Sequence, residues 1–280
     1  MSNRDSDLIY IDIDSVVRSR LPRYSRFIPR WLTRGLERII CQDKLNEMLR
    51  VNHGKRNASF CRGVIDYLGV TYSVKNASNL PLNPRAIFVC NHPLGGLDGM
   101  ILIDMLKRHY GMEPRFIVND LLMAIKPLSG VFLPINKHGK QSRKSSSDIE
   151  EALASEAPII IFPAGLVSRK RDNGQIADLE WHKMFVNKAV TTQRNVIPLH
   201  FSGHNSKFFY NFAKLRSRLG IPFNIEMVRL PAEMFRCEGS NFTVSVGKVI
   251  EWQSLSGGRN ADKEALSIRE AAYRLNSETT

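Results

Sequence analysis

The residues best suited to chemistry are His92 and Asp98, which stand six positions apart. A histidine can take up a proton near neutral pH, and a nearby carboxylate can fix its tautomer and stabilise its cation. Such a pair is a general base without a serine nucleophile, so the attacking group would come from a substrate. A purely structural interpretation stays open, in which Asp98 caps a helix and His92 ends a strand.

The elements around this pair predict where it lies in the fold. The short apolar run 86–91 ends just before His92 and indicates a strand that is buried on both faces. A turn containing Gly95 and Gly96 follows, and a helix is predicted over 99–110. His92 is therefore expected at the carboxyl end of a buried strand, where open α/β sheets bind ligands.

Two later apolar runs end in a comparable way. The run 158–162 leads into a Pro/Gly turn, after which come Ser168, Arg169, Lys170 and Arg171. Turn amides and a guanidinium at a strand end can hold a phosphate or a carboxylate. The run 195–201 contains His200, with His204 four positions later, but an extended segment would hold two such rings too far apart to share a metal ion easily. No metal site is predicted.

Three motifs together carry a resemblance to a known family. Asn91-His92-Pro93 with Asp98 is followed by Phe162-Pro163-Ala164-Gly165 and by Val196-Ile197-Pro198-Leu199. In this order the motifs, within about 81–205, resemble the glycerolipid (lysophospholipid) acyltransferase family. Five residues separate His92 from Asp98, one more than is usual, which resembles the branch with hemolysin-like proteins and ornithine- or glycine-lipid acyltransferases. Ala164 stands where the family usually has a glutamate.

The resemblance implies a role for each matching residue. His92 would be the catalytic base, Asp98 would orient it, and amides of Gly95, Gly96 or Gly165 would stabilise the oxyanion. Asn136 and Lys137 stand where the family usually has an arginine that helps to hold the acceptor. The residues expected to bind substrate are Asn91, Gly95, Gly96, Asn136, Lys137, Phe162, Pro163, Gly165, Ser168, Arg169 and Lys170.

The reaction implied by the resemblance is acyl transfer. A fatty acyl group would pass from a thioester of acyl carrier protein or coenzyme A to the hydroxyl of a lyso-type membrane lipid, with no metal or redox cofactor. The acidic acyl carrier protein would suit a basic surface. The alternative is the formation of glycine or ornithine lipids, because the departures at Ala164 and Asn136 alter the acceptor pocket. A lyso-type lipid ranks first and an amino-acid acceptor second.

Composition limits the class of protein. The chain has 280 residues, of which 43% are hydrophobic, and its four cysteines have no metal-binding or redox spacing. The formal net charge of +13 predicts an anionic partner. A nucleic-acid-binding module would explain the charge, but no recognisable motif supports it. A hydrolase using Ser168 lacks the Gly-x-Ser-x-Gly spacing.

Sequence features also predict a membrane surface as partner. No apolar run reaches the roughly 18 to 20 residues of a membrane span, and the polar start is not a signal peptide. The segment 18–38 interleaves basic with aromatic residues, which suits an anionic interface or, alternatively, a pair of packing helices. The aromatic cluster in 207–219 would line an acyl-chain tunnel, rest on the bilayer or pack in the core. We expect a cytoplasmic protein, peripheral on the cytoplasmic face of a membrane.

Three regions are predicted: a basic, helical, membrane-facing extension over 1–80, an α/β acyltransferase domain over 81–256, and a C-terminal helix over 257–280. In the middle region, short apolar runs alternate with helix-length polar segments, which predicts a largely parallel or mixed sheet flanked by helices. Strands are predicted over 86–91, 115–119, 131–135, 158–162, 195–201, 223–229 and 242–251. Helices are predicted over 43–51, 57–68, 99–110, 120–126, 147–155, 180–192 and 207–218. Ser147 and Glu150 form an expected capping box. The basic loop before it, at 137–147, would either bind the phosphate of an acyl carrier or lipid or be a solvated loop.

Overall fold

The computed structural model describes residues 10–20, 29–119, 122–123, 125–135, 143–221 and 223–277. The helices of this part are α1 (Ile13–Arg20), α2 (Arg30–Ile39), α3 (Gln42–Val51), α4 (Asn57–Tyr67), α5 (Leu97–Tyr110), α6 (Arg143–Ala154), α7 (Met184–Thr192), α8 (Lys207–Arg218), α9 (Leu230–Arg236) and α10 (Ala261–Ser277). Over the described part of the chain, none of the helices is both long enough and apolar enough to cross a membrane.

The strands are β1 (Thr71–Lys75), β2 (Ala86–Cys90), β3 (Arg115–Asn119), β4 (Phe132–Ile135), β5 (Ile159–Ile161), β6 (Arg169–Lys170), β7 (Ile176–Ala177), β8 (Asn195–Phe201) and β9 (Asn241–Val246). Seven of them form one sheet in the order β1-β9-β8-β2-β5-β3-β4, and β6 and β7 form a separate hairpin. The block from β8 to β4 is parallel, whereas β9 runs antiparallel to β8 and parallel to β1. The predicted fold class is confirmed.

Strand β2 lies at the centre of the sheet because both of its faces are apolar. Side chains alternate between the faces of a strand, so Phe88 and Cys90 join one core cluster while Ile87 and Val89 join the other. The first cluster includes residues of α4 and α5, and the second includes residues of α6, α7 and α10. The sheet is therefore sandwiched between two helical layers, and all five residues of β2 are buried.

The three motifs meet because their strands are parallel neighbours. β2 pairs with β5 on one side and with β8 on the other. Their carboxyl ends, at Cys90, Ile161 and Phe201, therefore lie at the same edge of the sheet. Ligands of open α/β sheets bind at this edge.

Two edge elements differ from the prediction. The segment 223–229 is not a strand, because it contains the 3₁₀ helix Ile225–Arg229, which leads directly into α9. The edge partner of β9 is instead β1, which lies within the region predicted to be helical. Residues of β1 alternate only between exposed and half-buried, so the strand carries no strong apolar period.

Some helix boundaries also need correction. The expected capping box at Ser147 is wrong, because α6 already begins at Arg143. The helix predicted over 120–126 falls partly outside the described residues, and its far end begins the 3₁₀ turn Lys126–Leu128. In the basic segment 18–38, residues 21–28 lie outside the described part, and α2 starts after Pro29. The domain boundaries at 80 and 256 stay predictions.

Candidate active site

His92 and Asp98 form a direct pair at the end of β2. The Nδ1 atom of His92 lies 2.9 Å from the Oδ2 atom of Asp98. The His92 side chain is 15% exposed, whereas that of Asp98 is fully buried in the first turn of α5. The pair therefore combines a solvent-reachable imidazole with a carboxylate that water does not reach.

His92 and the nearby backbone amides hold the Asp98 carboxylate in its charged form. Its Oδ2 atom also accepts hydrogen bonds from the amides of Leu94 (2.9 Å) and Gly95 (3.3 Å), and its Oδ1 atom accepts one from Gly99 (2.9 Å). Burial alone would raise the pKa of Asp98, but the charge of His92 and these hydrogen bonds outweigh it and lower the pKa below the usual value. An ionised Asp98 requires a proton on Nδ1 of His92. The lone pair of Nε2 is then free to accept a proton.

Gly95 makes this turn possible. Its φ of +86° lies in the left-handed region that favours glycine. A Cβ atom there would lie 2.8 Å from side-chain carbons of Leu230 and Val167. Any larger residue would push the turn away from these neighbours and disturb the amides that bind Asp98.

Phe162 joins the second motif to the histidine. Its ring stacks on the imidazole of His92, with centroids 4.0 Å apart and planes 19° apart. The edge of Phe116 on β3 in turn contacts Phe162, with centroids 5.2 Å apart. One face of His92 is therefore fixed by an aromatic wall, so substrate must approach the imidazole from another direction.

Asn91 ties β2 to β8 in this structure. Its side-chain nitrogen donates to the carbonyl of Phe201 (3.0 Å), and its side-chain oxygen accepts from the Phe201 amide (2.7 Å). The amide group is thus engaged by the backbone of the neighbouring strand. These two bonds hold Asn91 in place directly before His92. Substrate binding by the Asn91 side chain stays a prediction.

Asp178 ties the His92 turn to other parts of the chain, although it was not among the residues expected to bind substrate. It is fully buried, and its Oδ1 atom accepts from the backbone amide of His92 (3.2 Å) and from the hydroxyl of Ser168 (2.5 Å). Its Oδ2 atom accepts from the indole of Trp181 (2.9 Å), while its own amide donates to the hydroxyl of Tyr273 on α10 (2.7 Å). Asp178 therefore links the His92 turn to the second motif and to the C-terminal helix.

Ser168 and its neighbours in the second motif are engaged mainly by protein. Besides the bond to Asp178, the Ser168 amide donates to the carbonyl of His92 (2.8 Å). The carbonyl of Pro163 accepts from the amide of His182 (3.1 Å). These contacts hold the second motif against the His92 turn, and contacts of Ser168 and Pro163 with substrate stay predictions.

Arg169 belongs to a buried charge cluster. Its Nη2 atom donates to Oε1 of Glu226 (2.8 Å), and the Nε atom of Arg216 forms an ion pair with Oε2 of Glu226 at 2.8 Å. Burial lowers the pKa of Arg169, although Glu226 opposes this effect. Two cations thus share one carboxylate, which leaves a net positive charge. Lys170, the next residue of β6, is exposed.

The expected oxyanion donors are not equally available. The amide of Gly95 donates a hydrogen bond to Asp98, and the amide of Gly165 donates one to the carbonyl of Phe162 (2.9 Å). Within the described ranges, the Gly96 amide has no hydrogen-bond acceptor. Of the three amides considered from sequence, Gly96 is therefore the best suited to an oxyanion.

The remaining sequence predictions lie elsewhere or outside the described residues. Asn136, Lys137 and most of the basic loop at 137–147 fall in or border the undescribed stretch 136–142. His200 is buried and its ring meets that of Tyr273, whereas His204 is exposed and its Nδ1 atom contacts the carbonyl of Asn205. The two histidines have separate surroundings.

Comparison with known proteins identifies the family. The sequence profile of the family described as Acyltransferase matches residues 15–279. The chain belongs to this acyltransferase family. The protein is therefore an acyltransferase, and the resemblance noted from its three motifs is confirmed.

Two relatives match almost the whole acyltransferase chain. One, from Phocaeicola vulgatus, is named lyso-glycine lipid O-acyltransferase and is 41% identical over 271 residues, 97% of each chain. A protein of the same name from Bacteroides thetaiotaomicron is 40% identical and covers 97% of this chain and 99% of its own. A solved structure, the 1-acyl-sn-glycerophosphate (LPA) acyltransferase PlsC from Thermotoga maritima, is 14% identical with a TM-score of 0.46, and the match covers 95% of this chain and 98% of that one.

Proposed function

We propose that this acyltransferase moves a fatty acyl group from an acyl thioester to the free hydroxyl of a lyso-lipid that contains glycine. The observation that carries the proposal is the 41% identity, over 97% of each chain, with a protein named lyso-glycine lipid O-acyltransferase. The donor is acyl carrier protein or coenzyme A carrying the acyl group, and no further cofactor takes part.

The contact between His92 and Asp98 supports a general-base mechanism. Nε2 of His92 takes the proton of the acceptor hydroxyl while that oxygen attacks the thioester carbonyl, and Asp98 stabilises the imidazolium that forms. The tetrahedral oxyanion is held by backbone amides, with Gly96 the first candidate. Collapse then breaks the C–S bond, and the leaving thiolate takes the proton from Nε2. The products are an O-acyl ester and a free thiol.

The surroundings of Ala164 and Arg169 support an amino-acid lipid as acceptor. Ala164 is buried in a core cluster and offers no carboxylate at the position where the family usually has a glutamate. Arg169 and Arg216 share Glu226, and the excess positive charge is complementary to a carboxylate head. The two acceptors considered from sequence thus combine in one molecule, because a lyso-glycine lipid offers both a hydroxyl and an amino acid.

Peripheral binding to the cytoplasmic face of an anionic membrane is part of the proposal. The lipid acceptor resides in a bilayer, and the net charge of +13 attracts anionic headgroups. Binding to acyl carrier protein is supported by the same charge.

The test offers one enzyme two acceptors. Purified protein receives acyl carrier protein or coenzyme A thioester together with equal amounts of lyso-glycine lipid and lysophosphatidic acid in mixed micelles, and mass spectrometry follows the products. We expect acylated glycine lipid as the main product, with an ester bond that hydroxylamine cleaves. Free glycine should give no product. Acylation of lysophosphatidic acid alone, or an amide product, would contradict the proposal.

A further inference from the structure

Helix α8 carries an apolar stripe that the protein leaves exposed. Four apolar residues recur at intervals of four, three and four and therefore line up on one side of the helix. They are Phe208, Phe212, Leu215 and the C-cap residue Leu219. Phe208 is 56% exposed and Leu219 is 66% exposed. A different side of the helix, with Phe209 and Tyr210, packs into the protein. Core packing therefore does not explain the stripe.

The next segment continues this apolar surface. Phe223 is 75% exposed, and Ile225 and Val228 are also exposed. The guanidinium of Arg229 lies 4.4 Å from the centre of the Phe208 ring, so the 3₁₀ helix Ile225–Arg229 sits directly beside the stripe. We name the following set the α8 surface: Phe208, Phe212, Leu215, Leu219, Phe223, Ile225 and Val228.

The charges on 207–229 are mostly positive. Residues 207–229 contain five lysines and arginines against one acid, Glu226, a net charge of +4. Glu226 is buried and paired with Arg216, so neither side chain faces outward, and Lys214 is paired with the exposed Asp172 (2.9 Å). Lys207 and Arg218 are exposed. An exposed apolar surface with cations at its rim is complementary to an anionic lipid interface, where acyl chains and phosphates lie close together.

The α8 surface also lies over the His92 turn. Its supporting cluster contains Val167, Phe209 and Tyr210, with Leu230 packed against them. Side-chain carbons of Val167 and Leu230 lie 2.8 Å from the Cβ position of Gly95, whose amide binds Asp98. One layer of side chains therefore separates the surface from the catalytic turn.

We propose that the α8 surface docks on an anionic bilayer and sets the His92 turn against the membrane that holds the lyso-lipid. The inference rests on the proposed function, because it takes the acceptor to be a membrane lipid. It assigns the contact to the α8 surface, in addition to the segment 18–38 that the sequence analysis predicts. Apolar side chains enter the interface, and the surrounding cations hold the headgroups.

The test measures vesicle binding without donor or acceptor, so its outcome does not depend on the reaction. The full chain is sedimented with vesicles of phosphatidylcholine containing phosphatidylglycerol, and with vesicles of phosphatidylcholine alone. We expect binding to the anionic vesicles that weakens with salt. The double variant Leu219→Asp/Phe223→Asp should lower the partition coefficient about tenfold or more, since two exposed apolar groups become charged.

A matched control is available at the opposite edge of the sheet. Leu82 is 101% exposed and precedes the amino-terminal end of β2. Leu82→Asp should bind vesicles like the wild type, and all three proteins should have the same melting temperature and mass in solution. Equal binding of the double variant and wild type, equal loss in the control, or no wild-type binding at low salt would overturn the proposal. If the wild type is a dimer in solution and the double variant is a monomer, the surface would instead bind a second copy of the chain.

Discussion

Asp98→Asn is the change that most sharply separates the chemical role of Asp98 from its structural role. The carboxamide keeps one oxygen, which can still accept from His92 Nδ1 and the amides of Leu94 and Gly95. Its NH₂ group then faces the amide of Gly99, which loses its acceptor. The variant keeps the shape of the pair but removes the negative charge beside the imidazole.

The structure gives the size of the effect. Opposite charges 2.9 Å apart attract by about 6 kcal/mol at an effective dielectric constant of about 20, and this attraction develops only when His92 becomes cationic. Reorganisation of the site recovers part of the loss. We expect kcat to fall about 10²- to 10⁴-fold, which corresponds to about 3 to 5.5 kcal/mol. The unpaired Gly99 amide should lower the free energy of unfolding by only about 1 to 3 kcal/mol.

The assay follows thiol release from the acyl thioester in the presence of lyso-lipid, alongside thermal unfolding of the same preparation. Asp104→Asn is a matched control, because Asp104 is a buried carboxylate on the same helix that accepts from the hydroxyl of Tyr72 (2.6 Å). It should lose stability but keep kcat. If folded Asp98→Asn protein turns over within tenfold of wild type, the assigned role of Asp98 is wrong.

Three further changes test other parts of the structure. Asp178→Asn should lower kcat about tenfold, and Asp178→Ala should lower it further, because each variant loses carboxylate oxygens that accept from the His92 amide, Ser168 and Trp181. Steady-state kinetics and melting curves of the same preparations check this prediction. Burial lowers the pKa of His200 from 6.5 to about 4, so between these pH values the unfolded chain binds a proton that the folded chain does not. The free energy of unfolding should therefore decrease by up to about 3 kcal/mol as the pH is lowered from 6.5 to 4. Urea unfolding of His200→Asn from pH 7 to pH 4 should show a correspondingly shallower decline. Arg194→Met should cost about 2 to 4 kcal/mol in urea unfolding, because the buried guanidinium donates to carbonyls of Leu153, Ala157, Ala152 and Ser155.

The central strands were predictable because burial leaves a strong signal. The sequence shows a short apolar run for each of β2, β5 and β8, followed by a turn residue or a polar segment. The observed strands begin and end within one or two residues of the predicted bounds. Helix α8 was found at its observed bounds, since its apolar spacing follows the helical period. Local sequence pattern was sufficient for these elements because their apolar residues recur at the period of the strand or helix.

The sheet edge was not predictable from pattern alone. β1 is half-exposed and polar, so its pairing with β9 depends on a partner about 170 positions later. The segment 223–229 was interpreted as a strand because apolar and polar residues alternate there. In the structure Phe223 and Ile225 are exposed on the α8 surface, whereas Met227 packs against a core cluster, and the alternation alone does not reveal this difference.

Within the site, the sequence predicts the contact between His92 and Asp98 but not the contacts that hold the His92 turn in place. His92 and Asp98 are six positions apart, and one glycine turn brings them together. Asp178 reaches the His92 amide across 86 positions, and no local pattern reports such a contact. The proximity of Asp178 to Trp181 in the sequence was the available signal, because an acid three residues before a tryptophan can accept a hydrogen bond from its indole N–H. The pairing of Arg169 with Glu226 was equally hidden.

The most direct test of the account compares wild type with His92→Ala on lyso-glycine lipid and an acyl thioester, using mass spectrometry of the lipid product and thiol release in the same reaction. We expect one ester product per thiol released by the wild type. His92→Ala should lose at least about 10²-fold in turnover and should melt at nearly the wild-type temperature. A folded His92→Ala protein that keeps a tenth of wild-type turnover would contradict it.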